Sequence, residues 1–230
     1  MKFIHIILIL IFSITLQNEE ETTPIKGFQI NHLHTEINWQ NLKDKGYKYG
    51  LIRYGAYYNG DIIHCCFWSK NYNNGKKLGF DFGLIFSNYV YGLGAIKQEV
   101  DTFLKSIKNN KFEYPIFYEL SNSGLLKLGK NVVSAIARTF CDTLIENKYS
   151  CGFYATAEYI EELFEDDLKT NYPILLKYDE EKDQSNYKNR IDIKELSEEY
   201  FPDWIDHDIS DSESYFDFAT YIKENHLNGY

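Results

Sequence analysis

Along most of this 230-residue chain, stretches with the hydrophobic pattern of a strand alternate with stretches that have the pattern of a helix. Short apolar runs rich in β-branched and aromatic residues predict strands, and longer stretches with apolar positions about every 3.6 residues predict helices. The predicted strands are residues 26–31, 49–55, 82–90, 114–121, 151–155, 172–178 and 190–193. The predicted helices are residues 37–45, 67–78, 95–108, 131–147 and 157–168.

Strand and helix alternate over five successive units, an order typical of βα units around a parallel sheet. We therefore predict an α/β fold, an irregular TIM-like barrel of about five βα units plus extra C-terminal strands, formed by residues 26–194. Beyond residue 179 the pattern dissolves into charge and polarity, and residues 190–193 are the only convincing short strand after that point. We expect the acidic segment 195–230 to pack on the barrel or to trail from it.

The first residues have the pattern of a secretory signal. Lys2 precedes an almost wholly apolar run at residues 3–12, and small residues follow that run. The run is shorter than the roughly 20 apolar residues of a spanning helix. We therefore predict a signal peptide at residues 1–17, a loose leader at residues 18–25 and no stable membrane span after signal removal. A retained signal anchor is the alternative.

One predicted strand, residues 114–121, carries the carboxylate of Glu119 near its end. Pro115 suits the start of a strand, and the bulky residues after it predict a short buried strand. Such a carboxylate is costly unless it is paired, solvated or used, and barrel enzymes place catalytic groups at such positions. The alternative is a Glu119 that pairs with Arg53 and is thereby neutralised.

The composition restricts the classes of partner. The formal net charge is −10, and the chain contains 20 Tyr, 16 Phe and 3 Trp. Nucleic acids and anionic membranes need clustered Lys and Arg, so both are unfavourable as main partners. The aromatic rings can instead stack on sugars or other flat apolar faces. No Cys-x-x-Cys motif and no His pair at helical spacing occurs, so we predict neither a metal nor a cofactor.

The chain has an even number of cysteines, namely Cys65, Cys66, Cys141 and Cys151. In a secreted protein this number makes disulfides plausible, with three connectivities open. Adjacent cysteines rarely bond to each other because their Cβ atoms diverge along an extended chain. A single Cys141–Cys151 bond is the simplest expectation, and pairing of Cys65 and Cys66 with the other two is the alternative.

Barrels build their sites at the carboxyl ends of their strands. Those ends present a polar, tyrosine-rich rim with two carboxylates: Gln29, Asn31, Arg53, Tyr54, Asn88, Tyr89, Glu119, Ser121, Tyr154, Tyr178 and Asp192. Aromatic faces combined with fixed polar groups suit an oligosaccharide. We predict Glu119 and Asp192 as catalytic residues and the other nine as substrate-binding residues. His32 and His34 line this rim or belong to a plain surface loop.

These segments resemble the family-25 glycoside hydrolases, which are lysozymes of the muramidase type. The likeness runs from about Gly27 to Lys194. The matching segments include residues 27–31 for the family's opening Gly-x-Asp strand, 115–121 for its Asp-x-Glu strand and 191–192 for its closing Val-Asp element. The resemblance implies a barrel that acts on β-1,4-linked amino-sugar polymers such as peptidoglycan.

The chain departs from that family at its carboxylates. Gln29 stands in place of the opening aspartate, and Glu119-x-Ser121 stands in place of Asp-x-Glu. Only Asp192 keeps an acidic position of the family. Glycoside cleavage needs an acid that protonates the leaving oxygen and a second carboxylate. A serine in the donor position has no proton to give near neutral pH.

Two functions therefore stay open. In the first, a hydrolase uses Glu119 as the acid, with Asp192 opposite to it. In the second, a catalytically silent glycan-binding or interaction protein keeps the barrel and its aromatic rim. In both, we expect a monomer that contacts a polysaccharide or peptidoglycan, either secreted or in the lumen of secretory or lysosome-like vesicles.

Overall fold

A computed structural model of the chain describes residues 23–89, 92–120, 123–177, 187, 189–194 and 209–230. The predicted signal peptide, most of the predicted leader, Ser121 and Tyr178 lie outside this part of the chain. None of the helices within it is long and apolar enough to cross a membrane.

The strands are short and the helices lie between them, as the alternating pattern predicts. The strands are β1 (Ile25–Ile30), β2 (Tyr49–Tyr58), β3 (Asp61–His64), β4 (Asp81–Ser87), β5 (Ile116–Glu119), β6 (Cys151–Thr156), β7 (Ile174–Lys177), β8 (Ile191–Lys194) and β9 (Ser210–Ser214). The helices are α1 (Trp39–Asp44), α2 (Trp68–Lys77), α3 (Leu93–Ile107), α4 (Ser123–Leu126), α5 (Lys130–Glu146), α6 (Ala157–Leu163), α7 (Asp166–Asn171) and α8 (Phe218–Glu224).

These strands form one sheet in the order β1-β9-β8-β7-β6-β5-β4-β2-β3, and β1 also pairs with β2. The β1–β2 pairing closes eight of the strands into a barrel, and β3 stays outside it as the hairpin partner of β2. β9 runs antiparallel to both of its neighbours, whereas the other barrel pairings are parallel. The prediction of an irregular α/β barrel is confirmed.

Five strands, β2, β4, β5, β6 and β7, contribute side chains to two cores, because successive side chains point to opposite faces of a sheet. One core fills the barrel and includes Leu51, Ile85, Phe117 and Leu175. The other lies between the sheet and the helices and includes Phe82. Strands buried on both faces have nearly continuous apolar sequences, so these strands are recognisable in the sequence.

Two local features hold α1 and α5 in place, a side-chain cap and a disulfide bond. The Oδ1 atom of Asn38 accepts a hydrogen bond from the Asn41 N–H (3.0 Å) and so caps α1. A disulfide joins Cys141 in α5 to Cys151 at the start of β6, with Cα atoms 5.2 Å apart. Cys65 and Cys66 are free thiols. The simplest of the predicted connectivities is therefore the one present.

The acidic segment after residue 194 differs from its prediction, because it supplies both a barrel strand and a helix. Ser212 in β9 is fully buried and pairs with Gly27, so small residues meet where the barrel wall is crowded. Phe218 and Ile222 of α8 belong to the core inside the barrel. The barrel thus continues beyond the predicted boundary at residue 194. A strand with serines on its inner face has no apolar run, so the hydrophobic pattern misses it.

Candidate functional site

An ion pair lies inside the barrel at the carboxyl ends of β2, β4 and β5. Arg53 donates a hydrogen bond from Nη2 to Glu119 Oε1 (2.9 Å) and another from Nη1 to Glu119 Oε2. Ser87 joins the pair, since its Oγ accepts from Arg53 Nη1 (2.6 Å) and donates to Glu119 Oε2 (2.5 Å). Both oxygens of Glu119 are thus engaged by donors from two neighbouring strands.

Burial explains why the pair is held so closely. Only 8% of Glu119 is exposed, and a carboxylate at such a position needs compensation. Burial lowers the pKa of Arg53, but the hydrogen bonds and the charge of Glu119 outweigh it, so that the pKa of Arg53 is raised. The structure therefore shows the alternative stated above for Glu119, a carboxylate that is paired with Arg53 and neutralised by it.

Gln29 and Tyr154 extend this polar cluster across the barrel. Glu119 is the ladder partner of Tyr154, and the Tyr154 hydroxyl is hydrogen-bonded to the side chain of Gln29. Burial and the charge of Glu119 raise the pKa of Tyr154, while Arg53 and Gln29 oppose them. The position of the family's opening aspartate thus holds an uncharged amide that bonds to a tyrosine.

Asp192 lies on the other face of the barrel wall. The ladder aligns Leu175 with Ile191 and Leu176 with Asp192, and paired residues point to the same face. Ile191 belongs to the core inside the barrel and Leu176 to the core outside it, so Asp192 points outward. Its carboxylate pairs with Arg190 (2.8 Å). The predicted catalytic carboxylates therefore do not face each other.

A cavity of about 630 Å³ opens next to the ion pair. Its lining residues come mainly from the β2–β3 hairpin and the ends of β2 and β4: His32, Arg53, Gly55, Ala56, Tyr58, Ile63, His64, Cys65, Cys66, Ser87 and Tyr89. Tyr58, Ile63 and Tyr89 are each more than half exposed and form apolar walls. Arg53 and Ser87 bring the polar cluster to this cavity. Of the predicted site residues, Arg53 and Tyr89 line this cavity.

Three predicted rim residues lie elsewhere. Tyr54 is fully buried in the outer core, where its hydroxyl donates to the Ser106 carbonyl (3.1 Å) in α3. Asn88 is buried and donates its amide to the hydroxyl of Tyr118, also in the outer core. The Asn31 side chain accepts from the Leu33 N–H (2.8 Å) in a local turn. Arg53 and Ser87, which precede Tyr54 and Asn88, line the cavity, so Tyr54 and Asn88 point to the opposite face of the barrel wall.

The hairpin residues were missed by the sequence analysis, although a signal for them exists. Asn59 and Gly60 have φ angles of 49° and 93°, and Asn-Gly is the preferred pair for a two-residue hairpin turn. Gly55 (φ 148°) lies at a register shift between β2 and β4, beyond which the hairpin continues past the barrel. Across the described ranges, no three His, Cys, Asp or Glu side chains are grouped to hold a metal ion.

Comparisons with known proteins agree with this architecture. Neither a protein-family model nor a curated protein matches the sequence. Among solved structures, a family 25 glycosyl hydrolase from Bacillus anthracis has a TM-score of 0.67 at 16% identity, over 86% of this chain and 92% of that one. A GH25 lysozyme from Aspergillus fumigatus has a TM-score of 0.60 at 14% identity, over 87% and 98% of the chains. The autolysin LytC from Streptococcus pneumoniae, in complex with a synthetic peptidoglycan ligand, has a TM-score of 0.68 at 15% identity, over 84% and 47%.

Proposed function

We propose that this chain, which has the fold of the family-25 glycoside hydrolases, is a lysozyme-like protein that binds β-1,4-linked amino-sugar polymers such as peptidoglycan, with weakened or lost hydrolysis. The observation that carries the proposal is the state of Glu119. Arg53 and Ser87 engage both of its oxygens, and Asp192 points away from it.

Glycan binding is supported by the cavity and by the structural relatives. The cavity of about 630 Å³ falls within the usual range for ligand pockets, roughly 300–1,000 Å³. Its exposed tyrosines, Tyr58 and Tyr89, offer ring faces for a sugar, and Arg53 and Ser87 offer polar groups for its hydroxyls. One relative with this fold is described in complex with a peptidoglycan ligand.

Hydrolysis is disfavoured by the geometry of the carboxylates. Family-type cleavage needs two carboxyl groups on either side of the scissile bond, roughly 5–9.5 Å apart, and one must carry a proton. An arginine that donates to both oxygens of a carboxylate favours its ionised form. Glu119 is therefore a poor proton donor while Arg53 holds it. The second candidate function is hydrolysis by Glu119. It is favoured by the position of this carboxylate, which lies at the end of β5 and points into the barrel.

The remaining features of the proposal concern export and ligand contacts. We place the protein in the secretory route, with residues 1–17 removed, as a monomer outside the cell or in a vesicle lumen. Ser121 and Tyr178 are proposed ligand contacts beyond the described residues. The mass of the chain recovered from the medium of producing cells tests the signal, and cleavage near residue 17 is the expected result.

Binding and hydrolysis are separated by one set of assays on the purified chain. Co-sedimentation with insoluble peptidoglycan measures binding, and the release of reducing ends measures hydrolysis. We expect saturable binding with little or no product. Tyr89→Ala is expected to weaken binding about fivefold, since loss of one aromatic contact is worth about 1 kcal/mol. Tyr221→Ala is the matched control, because Tyr221 is an exposed tyrosine of α8, away from the cavity.

Three outcomes would contradict the proposal or a part of it. Release of reducing ends as fast as that of an active lysozyme, abolished in Glu119→Gln, would establish a fully active hydrolase. Absence of both binding and product would leave only the barrel fold, which does not by itself name a function. Equal loss of binding in Tyr89→Ala and Tyr221→Ala would remove the cavity from the proposal.

A further inference from the structure

Arg53 has donor groups that the ion pair does not use. A guanidinium has five N–H donors in a fixed planar arrangement. Three of them point to Glu119 Oε1, Glu119 Oε2 and Ser87 Oγ. The Nε–H and the second N–H on Nη2 have no acceptor within the described part of the chain. These two donors lie on the same edge of the planar group, which is the arrangement that binds a carboxylate with two parallel hydrogen bonds.

The surroundings of Arg53 suit an anion. Arg53 lines the cavity, and its side chain is 25% exposed. Although the formal net charge of the chain is −10, none of the described residues that line the cavity is acidic. Besides Arg53, the polar lining includes His32, Ser87 and the two exposed tyrosines. An anion in the cavity therefore meets donors and no lining carboxylate.

We propose that this cavity binds the carboxylate of an acidic sugar, with the free edge of Arg53 as the anchor. The inference rests on the proposed glycan-binding function and specifies the class of sugar. The apolar walls formed by Tyr58, Ile63 and Tyr89 contact the sugar ring, while Arg53 receives its carboxylate. A neutral sugar of the same shape lacks the group that this edge of Arg53 binds.

Glu119 sets the strength of this interaction because it shares the guanidinium with the ligand. Its negative charge compensates Arg53, so a second carboxylate on the same guanidinium experiences repulsion from Glu119. Replacing Glu119 by the isosteric glutamine keeps an acceptor for Arg53 and removes that repulsion. The variant Glu119→Gln is therefore expected to bind acidic sugars more tightly, whereas a merely structural Glu119 would not show a gain.

The test compares D-glucuronate with D-glucose, which differ by a carboxylate in place of a hydroxymethyl group, by NMR titration of the purified chain. We expect glucuronate to bind about tenfold more tightly, as is typical for one charge-assisted bidentate contact. Glu119→Gln should increase this preference about tenfold. The double variant Arg53→Gln/Glu119→Gln should abolish it without leaving an unpaired buried charge.

Controls and contrary outcomes are specific to each claim. Arg138→Gln removes an arginine from a network with Glu165 and Asp167 outside the cavity and should leave the preference unchanged. Equal affinities for the two sugars, or a lower preference in Glu119→Gln, would overturn the inference. If the double variant does not fold, as judged by circular dichroism, the single variant decides.

Failure of this inference is distinguishable from failure of the proposed function. Peptidoglycan binding without a preference for glucuronate would keep the function and overturn the acidic-sugar inference. Glucuronate binding without polymer binding would do the reverse. N-acetyl-D-alanine is the third ligand, and affinity equal to that of glucuronate would show that Arg53 selects a peptide carboxylate, which would overturn the assignment to a sugar.

Discussion

The carboxylic acid of Glu99 gives the sharpest quantitative prediction from this structure. Glu99 lies in α3 and is fully buried between that helix and the sheet. Its Oε1 accepts a hydrogen bond from the Tyr118 hydroxyl (3.0 Å), which in turn accepts one from the Asn88 amide. No cation is bonded to Glu99 among the described residues. Burial raises its pKa from 4.5 to about 8, against the opposing effect of the Tyr118 hydrogen bond.

This shift predicts how the free energy of unfolding depends on pH. In the unfolded chain Glu99 loses its proton above about pH 4.5, whereas in the folded chain it keeps the proton up to about pH 8. The folded state therefore binds more protons in this window, and its stability falls as the pH rises through it. Each pH unit in the window corresponds to about 1.4 kcal/mol, so the expected loss between pH 5 and pH 7 is about 3 kcal/mol.

The variant Glu99→Gln isolates this effect because glutamine keeps the acceptor for Tyr118 and does not ionise. Urea unfolding of both proteins at pH 5, 6, 7 and 8 gives the difference in free energy of unfolding at each pH. We expect this difference to shift in favour of the variant by about 3 kcal/mol from pH 5 to pH 7. The exposed Glu146 of α5 provides the control Glu146→Gln, for which the difference should stay constant. A constant difference for Glu99→Gln as well would refute the reasoning.

Two further predictions concern the stability of the fold. Asn228 is fully buried, and its side chain accepts a hydrogen bond from the Ser150 N–H (2.7 Å) and donates one to the Tyr114 carbonyl (3.0 Å). Asn228→Ala should therefore lower the free energy of unfolding, measured in urea, by about 2–3 kcal/mol. A loss below about 0.5 kcal/mol would contradict this account. Replacing Cys141 and Cys151 together by serine should lower it by about 2–3 kcal/mol, given their separation of 10 residues. An unchanged thermal midpoint in that double variant would show that the bond does not stabilise the fold.

The elements that the sequence predicts well are those whose signal is local. Strands buried on both faces, such as β4 and β5, have continuous apolar sequences, and α1 has its cap in Asn38. The exceptions have physical reasons. β9 is a serine-rich strand without an apolar run, and Phe164 takes an extended backbone conformation that separates α6 from α7. The sequence signal for the β2–β3 hairpin is its Asn59-Gly60 turn and not a hydrophobic pattern.

The candidate site shows the same division. The sequence predicts five residues of the candidate site from their positions near the ends of predicted strands: Gln29, Arg53, Tyr89, Glu119 and Tyr154. Their mutual contacts depend on the register of strands that are far apart in sequence. Arg53 and Glu119, for instance, are 66 residues apart and meet because β2, β4 and β5 are neighbours in the barrel.

By itself, the sequence determined the alternation of strands and helices, and hence the barrel, together with the end of β5 that carries Glu119. The tertiary structure decided which face of the wall each polar side chain occupies. Side chains alternate along a strand with a period of two, so a difference of one position reverses the outcome. Ile191 and Ile193 point into the barrel, and Asp192 between them therefore points out. This single alternation separates Asp192 from Glu119, which pairs with Arg53.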